Sequence, residues 1–269
     1  MPLPSEPVSD GHAASGPLAG RRALVTAGSS GIGLAMARAL VRQGATTFIT
    51  GTGEHTAGVA REVGASGYAI ADFTDPDAAK IAVTEATNGI GGVDILVANT
   101  GGPRPSRFID LSDGDWLTAY HQILGSALSL TQAALPGMIE GQWGRLIYLA
   151  STAGVVHPLP QLHLSNVMRA AVAALAQSIT SEVGPLGITT NVIAPGPTDT
   201  PRRRQIMEFQ AQRAGSPVER LQAGELNRIP IRRMVGADEI ADLVVFLCGE
   251  SAGSITGATH VIDGGLTSA

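Results

Sequence analysis

The chain has 269 residues, 44% of them hydrophobic, which is enough to bury a full core within one α/β domain. Its formal charge of −5 and the lack of any Lys/Arg-rich stripe with interleaved aromatics argue against nucleic acid or an anionic membrane as partner. The single cysteine, Cys248, excludes a disulfide framework or a cysteine-based zinc site, and a reducing, cytoplasmic setting fits.

Residues 1–17, MPLPSEPVSDGHAASGP, have neither a basic start nor an apolar stretch long enough for a signal peptide, and their Pro, Ser and Gly content predicts a disordered tail. No run long and apolar enough for a membrane span follows. From Arg22 onward, short β-branched or apolar runs alternate with longer segments of helical period, the pattern of βαβ units in a parallel sheet. The strands are expected at 23–27, 46–50, 67–71, 94–99, 144–150, 188–194 and 259–263. Crossover helices are expected at 33–43, 77–88, 113–134, 165–183 and 237–249. The first places Leu34, Ala37, Leu40 and Val41 on one face and stops at Gly44. This predicts a Rossmann-type, doubly wound, seven-stranded parallel sheet in three α/β/α layers, with 18–269 as a single domain. The stretch 200–228 is polar, Arg-rich and weakly periodic, and it follows the end of a strand, where open α/β sheets place their ligand crevice; it is expected to form a mobile substrate lid.

Between the first strand and first helix lies VTAGSSGIG, residues 25–33. Glycines there let the backbone approach a pyrophosphate, and free N–H groups at the positive helix end attract the anion. A tight turn without ligand is the competing reading of that segment alone. Further motifs follow in order: Asp72-Phe73, Asn99-Thr100-Gly101, Ser151 in YLASTAG, and Pro195-Gly196 with Thr198 and Thr200. Together they resemble the short-chain dehydrogenase/reductases over roughly residues 18 to 266. The resemblance implies an NAD(P)-dependent enzyme acting on a small-molecule carbonyl/alcohol pair. It assigns cofactor contacts to Ala27, Gly28, Ser30, Gly31, Ile32 and Gly33 of the turn, to Thr52 after the second strand, and to Asp72 and Phe73 beside the adenine. Asn99, Gly101, Pro195, Gly196, Thr198 and Thr200 complete the set. Ala27 stands where the family's first glycine is usual. The second strand ends Thr50-Gly51-Thr52-Gly53, without the acid that selects NAD or the base that selects NADP; its hydroxyls lean towards NADP, and a chain without dinucleotide stays open.

The family's proton chemistry uses a Ser, then Tyr-x-x-x-Lys. Ser151 matches the Ser, with Thr152 as the alternative, but Ser165 and Arg169 stand at the Tyr and Lys positions, and Gln122 replaces an auxiliary Asn. Ser-x-x-x-Arg is shared by a divergent subset similar to 3-oxoacyl-[acyl-carrier-protein] reductases. Guanidinium is no tunable proton relay and an aliphatic hydroxyl is a poor acid, so a histidine is the best replacement donor; His163 is preferred to His157 because it lies beside Ser165. Arg104, Arg107 and Arg202 to Arg204 are either solvated loop charges or contacts for an acidic substrate. Three functions remain open: an oxidoreductase, which leads; a non-redox dehydratase, isomerase or cyclase; and a nucleotide-binding protein without turnover. The resemblance also implies a homo-oligomer, a dimer or tetramer, packed through helix 166–180 with Val167, Ala170, Ala171, Ala174 and Ile179.

Overall fold

The computed structural model describes residues 16–268. The expected tail therefore lies outside the described residues, apart from Gly16 and Pro17. In chain order the elements are β1 (Arg22–Val25), α1 (Gly31–Arg42), β2 (Thr46–Gly51), α2 (Thr56–Val63), β3 (Gly67–Ile70), α3 (Ala78–Ile90), β4 (Ile95–Ala98), α4 (Asp113–Ala119), α5 (Ser126–Glu140), β5 (Gly144–Leu149), α6 (Thr152–Val155), α7 (His163–Val183), β6 (Ile188–Pro195), α8 (Pro201–Ala214), α9 (Val218–Arg228), α10 (Ala237–Cys248) and β7 (Thr259–Ile262). Seven strands form one parallel sheet in the order β3-β2-β1-β4-β5-β6-β7. The central strands are buried on both faces, which is why β4 reads as a continuous apolar run rather than as an alternation, while β5 and β6 also bury Arg145, Thr189, Thr190 and Asn191.

Two cores follow from the two faces. On one, Leu96, Leu146 and Tyr148 pack against Leu130, Met138 and Val172 of α5 and α7. On the other, Ile95 and Ile147 meet Met36 and Leu40 of α1 and Val244 and Leu247 of α10. Tyr148 is fully buried, and its hydroxyl shares a 2.7 Å hydrogen bond with Thr131; burial pushes the phenol well above its ordinary range, so it is part of the core and no proton donor. Cys248 is buried at the end of α10. Among the described residues no helix is long and apolar enough to cross a membrane.

The structure departs from the expected elements in three places. The helix foreseen over 113–134 is interrupted by a π-helical turn at Tyr120–Gly125, between α4 and α5. Gly125 lies so close to Tyr120 that a Cβ there would stand 3.2 Å from the Tyr120 carbonyl oxygen. The region 200–228, read as weakly periodic, is a helical hairpin. Thr200 caps α8 by accepting from the Arg203 amide, Gly215 ends α8 in the left-handed region at φ 58°, and an Arg203–Glu225 ion pair ties α8 to α9. Its buried face is only Ile206, Met207 and Ala211, too few apolar positions to stand out in a polar stretch. Helix α2, likewise unforeseen, buries little more.

At the opposite end of the sheet from the strand C-termini, Asp94 accepts from the Arg22 amide and from its guanidinium in a bidentate pair, at 2.8 Å, 2.8 Å and 2.6 Å. Burial pushes the Asp94 carboxyl up, but Arg22's hydrogen bonds and charge outweigh that and hold it below the ordinary carboxylate range. A carboxyl depressed in the folded state contributes stability that is full above its unfolded pKa and lost as pH falls through the folded value. Asp94→Asn is therefore expected to cost about 1–2 kcal/mol at neutral pH, discounted because Arg22 is partly exposed, and to flatten the acid limb of a thermal-melt series against pH.

Candidate active site

The strand order reverses between β1 and β4, and a crevice opens there at the strand C-termini. It holds a cavity of about 280 Å³, walled by the glycine turn, the loop Asn99–Gly102, Ser151, Ser165, Arg169 and the start of α8.

The turn is built by cross-ties. Thr26 Oγ1 donates to the Asn99 carbonyl at 2.6 Å and accepts from the Asn99 amide at 2.9 Å, while the Gly28 amide donates to the Thr50 carbonyl and the Ala27 amide to Thr50 Oγ1. These bonds hold Ala27 at φ 45°, where a methyl costs about 1–2 kcal/mol and glycine is the ordinary occupant. A Cβ on Gly33 would lie 2.1 Å from the Ala27 carbonyl oxygen, so that position admits only glycine. Ser30 precedes α1 in an extended conformation and makes no side-chain cap, leaving the first-turn amides to an anion. The turn therefore fits a dinucleotide's phosphates, and Ala27, Ser30, Gly31, Ile32 and Gly33 all line the cavity, whereas Gly28 lies behind it.

Asn99, Gly101, Pro195, Gly196, Thr198 and Thr200 also line the cavity. The expected adenosine end is less complete. Thr52 is exposed, Phe73 is buried, and Asp72 accepts from the amide and hydroxyl of Thr74 at 3.0 Å and 2.9 Å; none of the three reaches the cavity wall.

Ser151 and Thr152 are distinguished by their surroundings. Ser151 follows β5, half-buried and extended, and caps α6 by accepting from the Ala153 amide at 3.2 Å. Thr152 is buried and donates to the Pro195 carbonyl. Ser165 faces the cavity from the first turn of α7, with Arg169 one turn below.

Arg169 has every N–H engaged inside the protein. Its Nε donates to Ser165 Oγ at 3.3 Å, Nη1 to the carbonyls of Leu149 and Ala150 at 2.8 Å and 3.4 Å, and Nη2 to those of Thr100 and Gly101 at 3.4 Å and 3.2 Å. The guanidinium thus joins the ends of β4 and β5 and fixes the Ser165 hydroxyl, but has no donor left for a ribose. Burial, with repulsion from Arg202, pushes it down to about 10, so it stays charged at neutral pH.

Two further expected residues, Gln122 and His163, lie outside the cavity wall. Gln122 sits on the π-helical turn, behind Gly101, where its Nε2 would stand 3.6 Å from a Cβ on that glycine. His163 packs its ring edge-on against Phe108, with centroids 5.7 Å apart, outside the cavity. His157 lines the cavity instead. That Thr26 and Thr50 tie the turn to its neighbouring strands was not readable from the sequence, which offers only a hydroxyl at the end of each of two adjacent strands.

Residues 26–267 match the family described as enoyl-(acyl carrier protein) reductase. The chain belongs to the short-chain dehydrogenase/reductase family. Among curated members, it is 35% identical to a D-beta-hydroxybutyrate dehydrogenase of Cupriavidus necator over 92% of this chain and 98% of that one. It is 33% identical to a 3-oxoacyl-[acyl-carrier-protein] reductase of Salmonella typhimurium over 92% and 97%. Among solved structures, an actinorhodin polyketide ketoreductase with NADPH superposes with a TM-score of 0.87 at 28% identity, covering 93% of this chain and 98% of that one. Short-chain dehydrogenase/reductases are NAD(P)-dependent oxidoreductases, and this member carries their fold.

Removing Arg169 leaves strand-end carbonyls without donors. Arg169→Met is expected to cost about 2–4 kcal/mol, and Arg169→Lys, with fewer N–H groups, an intermediate amount, read from denaturant unfolding.

Proposed function

We propose that this protein interconverts a carbonyl and an alcohol by hydride transfer with NADPH in preference to NADH, using a serine pair in place of the family's tyrosine. The observation that carries the reading is the convergence of Ser151, Ser165 and the charge of Arg169 with the glycine turn on one cavity. The ketoreductase that shares this fold holds NADPH, and two similar proteins are named for chemistry at a 3-hydroxy or 3-oxo position. The bound nicotinamide supplies the hydride. The glycine-turn amides would hold its diphosphate, and the preference for NADPH rests on hydroxyls and the lack of a carboxylate at Gly51-Thr52-Gly53, where an acid would favour the ribose diol.

The rest follows from the chain's own groups. As hydride reaches the carbonyl carbon, negative charge grows on oxygen. Ser151 and Ser165 donate hydrogen bonds to that oxygen, and Arg169 stabilises the charge through Ser165. Ser165 Oγ already accepts from Arg169 Nε, so its own proton is free to point outward, and the guanidinium makes that hydroxyl a better donor than an isolated serine. His157, the imidazole on the cavity wall, delivers the proton that leaves a neutral alcohol and recovers it from water. His163, preferred from sequence position, is displaced from that role by its packing on Phe108. The hairpin α8–α9 forms the lid, and the exposed Val167 on α7, with exposed Phe108, Ile109 and Leu117 near α4, supports self-association to a homo-oligomer.

The test is a fluorescence titration with NADPH and NADH using Trp116 and Trp143, followed by transfer of deuteride from labelled NADPH to a panel of ketones. Saturable binding, tighter for NADPH, with deuterium in the alcohol carbon is expected. Ser151→Ala and Ser165→Ala should each lower kcat roughly 100-fold or more with little change in cofactor affinity. No binding at millimolar cofactor overturns the redox reading in favour of acid/base chemistry on the same residues.

A further inference from the structure

The cavity is electrostatically unlike the rest of the protein. The chain is acidic overall, yet the cavity wall carries Arg169, Arg202, Arg203 and Arg228 against one acid, Glu225, and that acid is already paired with Arg203 across the hairpin. Arg169 and Arg202 make no ion pair among the described residues.

These two arginines differ in one respect that decides what each can do. Arg169 has all its donors engaged by protein oxygens. Arg202, in the first turn of α8, makes a single hydrogen bond, from Nη2 to the Pro103 carbonyl, and keeps its remaining N–H groups without an acceptor among the described residues. It lies against Gly102, where a Cβ would be 3.2 Å from its Nη2, and close enough to Arg169 to repel it. Burial lowers its own affinity for the proton. Two like charges drawn together and out of water, one with idle donors, are costly unless an anion comes between them or beside them. A guanidinium with a free edge is shaped for a carboxylate.

We propose that the substrate of this site carries a carboxylate besides its reacting carbonyl or hydroxyl, and that Arg202 is the residue that recognises it. The proposal rests on the oxidoreductase reading only for the reacting group; the anion site stands on the arginines alone. A cofactor phosphate is the other source of a negative charge. The glycine turn has its own amides for phosphate, and the one hydrogen bond of Arg202 runs to Pro103, in the loop beyond Gly101, and not to that turn, which favours the substrate. Arg202 would also bring α8 down over an anionic substrate, since its main-chain anchor is in the hairpin and its contact is in the β4 loop.

The test uses two matched pairs of probes, acetoacetate with methyl acetoacetate and benzoylformate with methyl benzoylformate, titrated calorimetrically into the full-length protein with and without NADPH. Each acid should bind at least about 10-fold more tightly than its ester. Arg202→Gln should close that gap without weakening NADPH, and Arg202→Lys should restore part of it. Equal binding of acid and ester, or no binding by either pair, overturns the proposal. So does a variant Arg202→Gln that loses NADPH affinity while the acid–ester gap survives, because the anion is then the cofactor's. Acid binding that depends on Arg202 in a protein that takes up neither NADPH nor NADH keeps the anion site and removes the redox reading, so the two failures are distinguishable.

Discussion

The site depends on one half-buried guanidinium, that of Arg169. Parallel strands end in carbonyls that the next loop cannot satisfy, and at the ends of β4 and β5 these carbonyls face a cavity rather than water. Arg169 answers several of them at once because its donors lie in one plane at fixed angles, something an ammonium on a flexible stem does less completely. The same side chain sets the position of Ser165, so the floor of the cavity and its candidate proton donor are fixed together. An arginine engaged in this way has little freedom to meet a ligand and a firm hold on the backbone.

The opposite wall is held by hydroxyls. Thr26 and Thr50 tie the glycine turn to β4 and β2, and the strain at Ala27 persists because these bonds over-determine the turn. The two walls move independently only if Asn99 breaks its bonds, since it is joined to Thr26 on one side and its loop continues to the carbonyls that Arg169 holds. A cavity made this way is rigid on the sheet side. Adaptation to a ligand falls to the hairpin α8–α9, which contacts the rest through few buried apolar side chains.

The strands were legible in the sequence within a residue or two, because short runs rich in apolar and β-branched residues alternate with longer helical segments. The break at Tyr120–Gly125 was not, since the apolar period runs through it and a π turn is set by what the helix packs against. The helicity of 200–228 was hidden for the opposite reason: a helix that covers a cavity buries too narrow a stripe to show a period. At the site, the family resemblance drew attention to Ser151, Ser165 and Arg169, which the structure brings to one cavity, but their contacts were not legible in the sequence. Nothing in the order of residues says that Arg169 is fully engaged while Arg202 is idle. His163 packs on Phe108, a neighbour distant in the chain, while His157 lines the cavity, a difference their order in the sequence does not show. Asp72 accepts from Thr74 two residues on, a local contact that matching a motif does not reveal.

Cys248 is fully buried at the end of α10, and desolvation pushes its thiol up to about 12, so it holds almost no thiolate at any working pH. Reagents that attack thiolates will pass it by while the fold is intact. Any cysteine introduced on the surface of the hairpin becomes the one reactive handle in the molecule, and a spin label or fluorophore placed there reports on the hairpin without first having to strip the native thiol from the core.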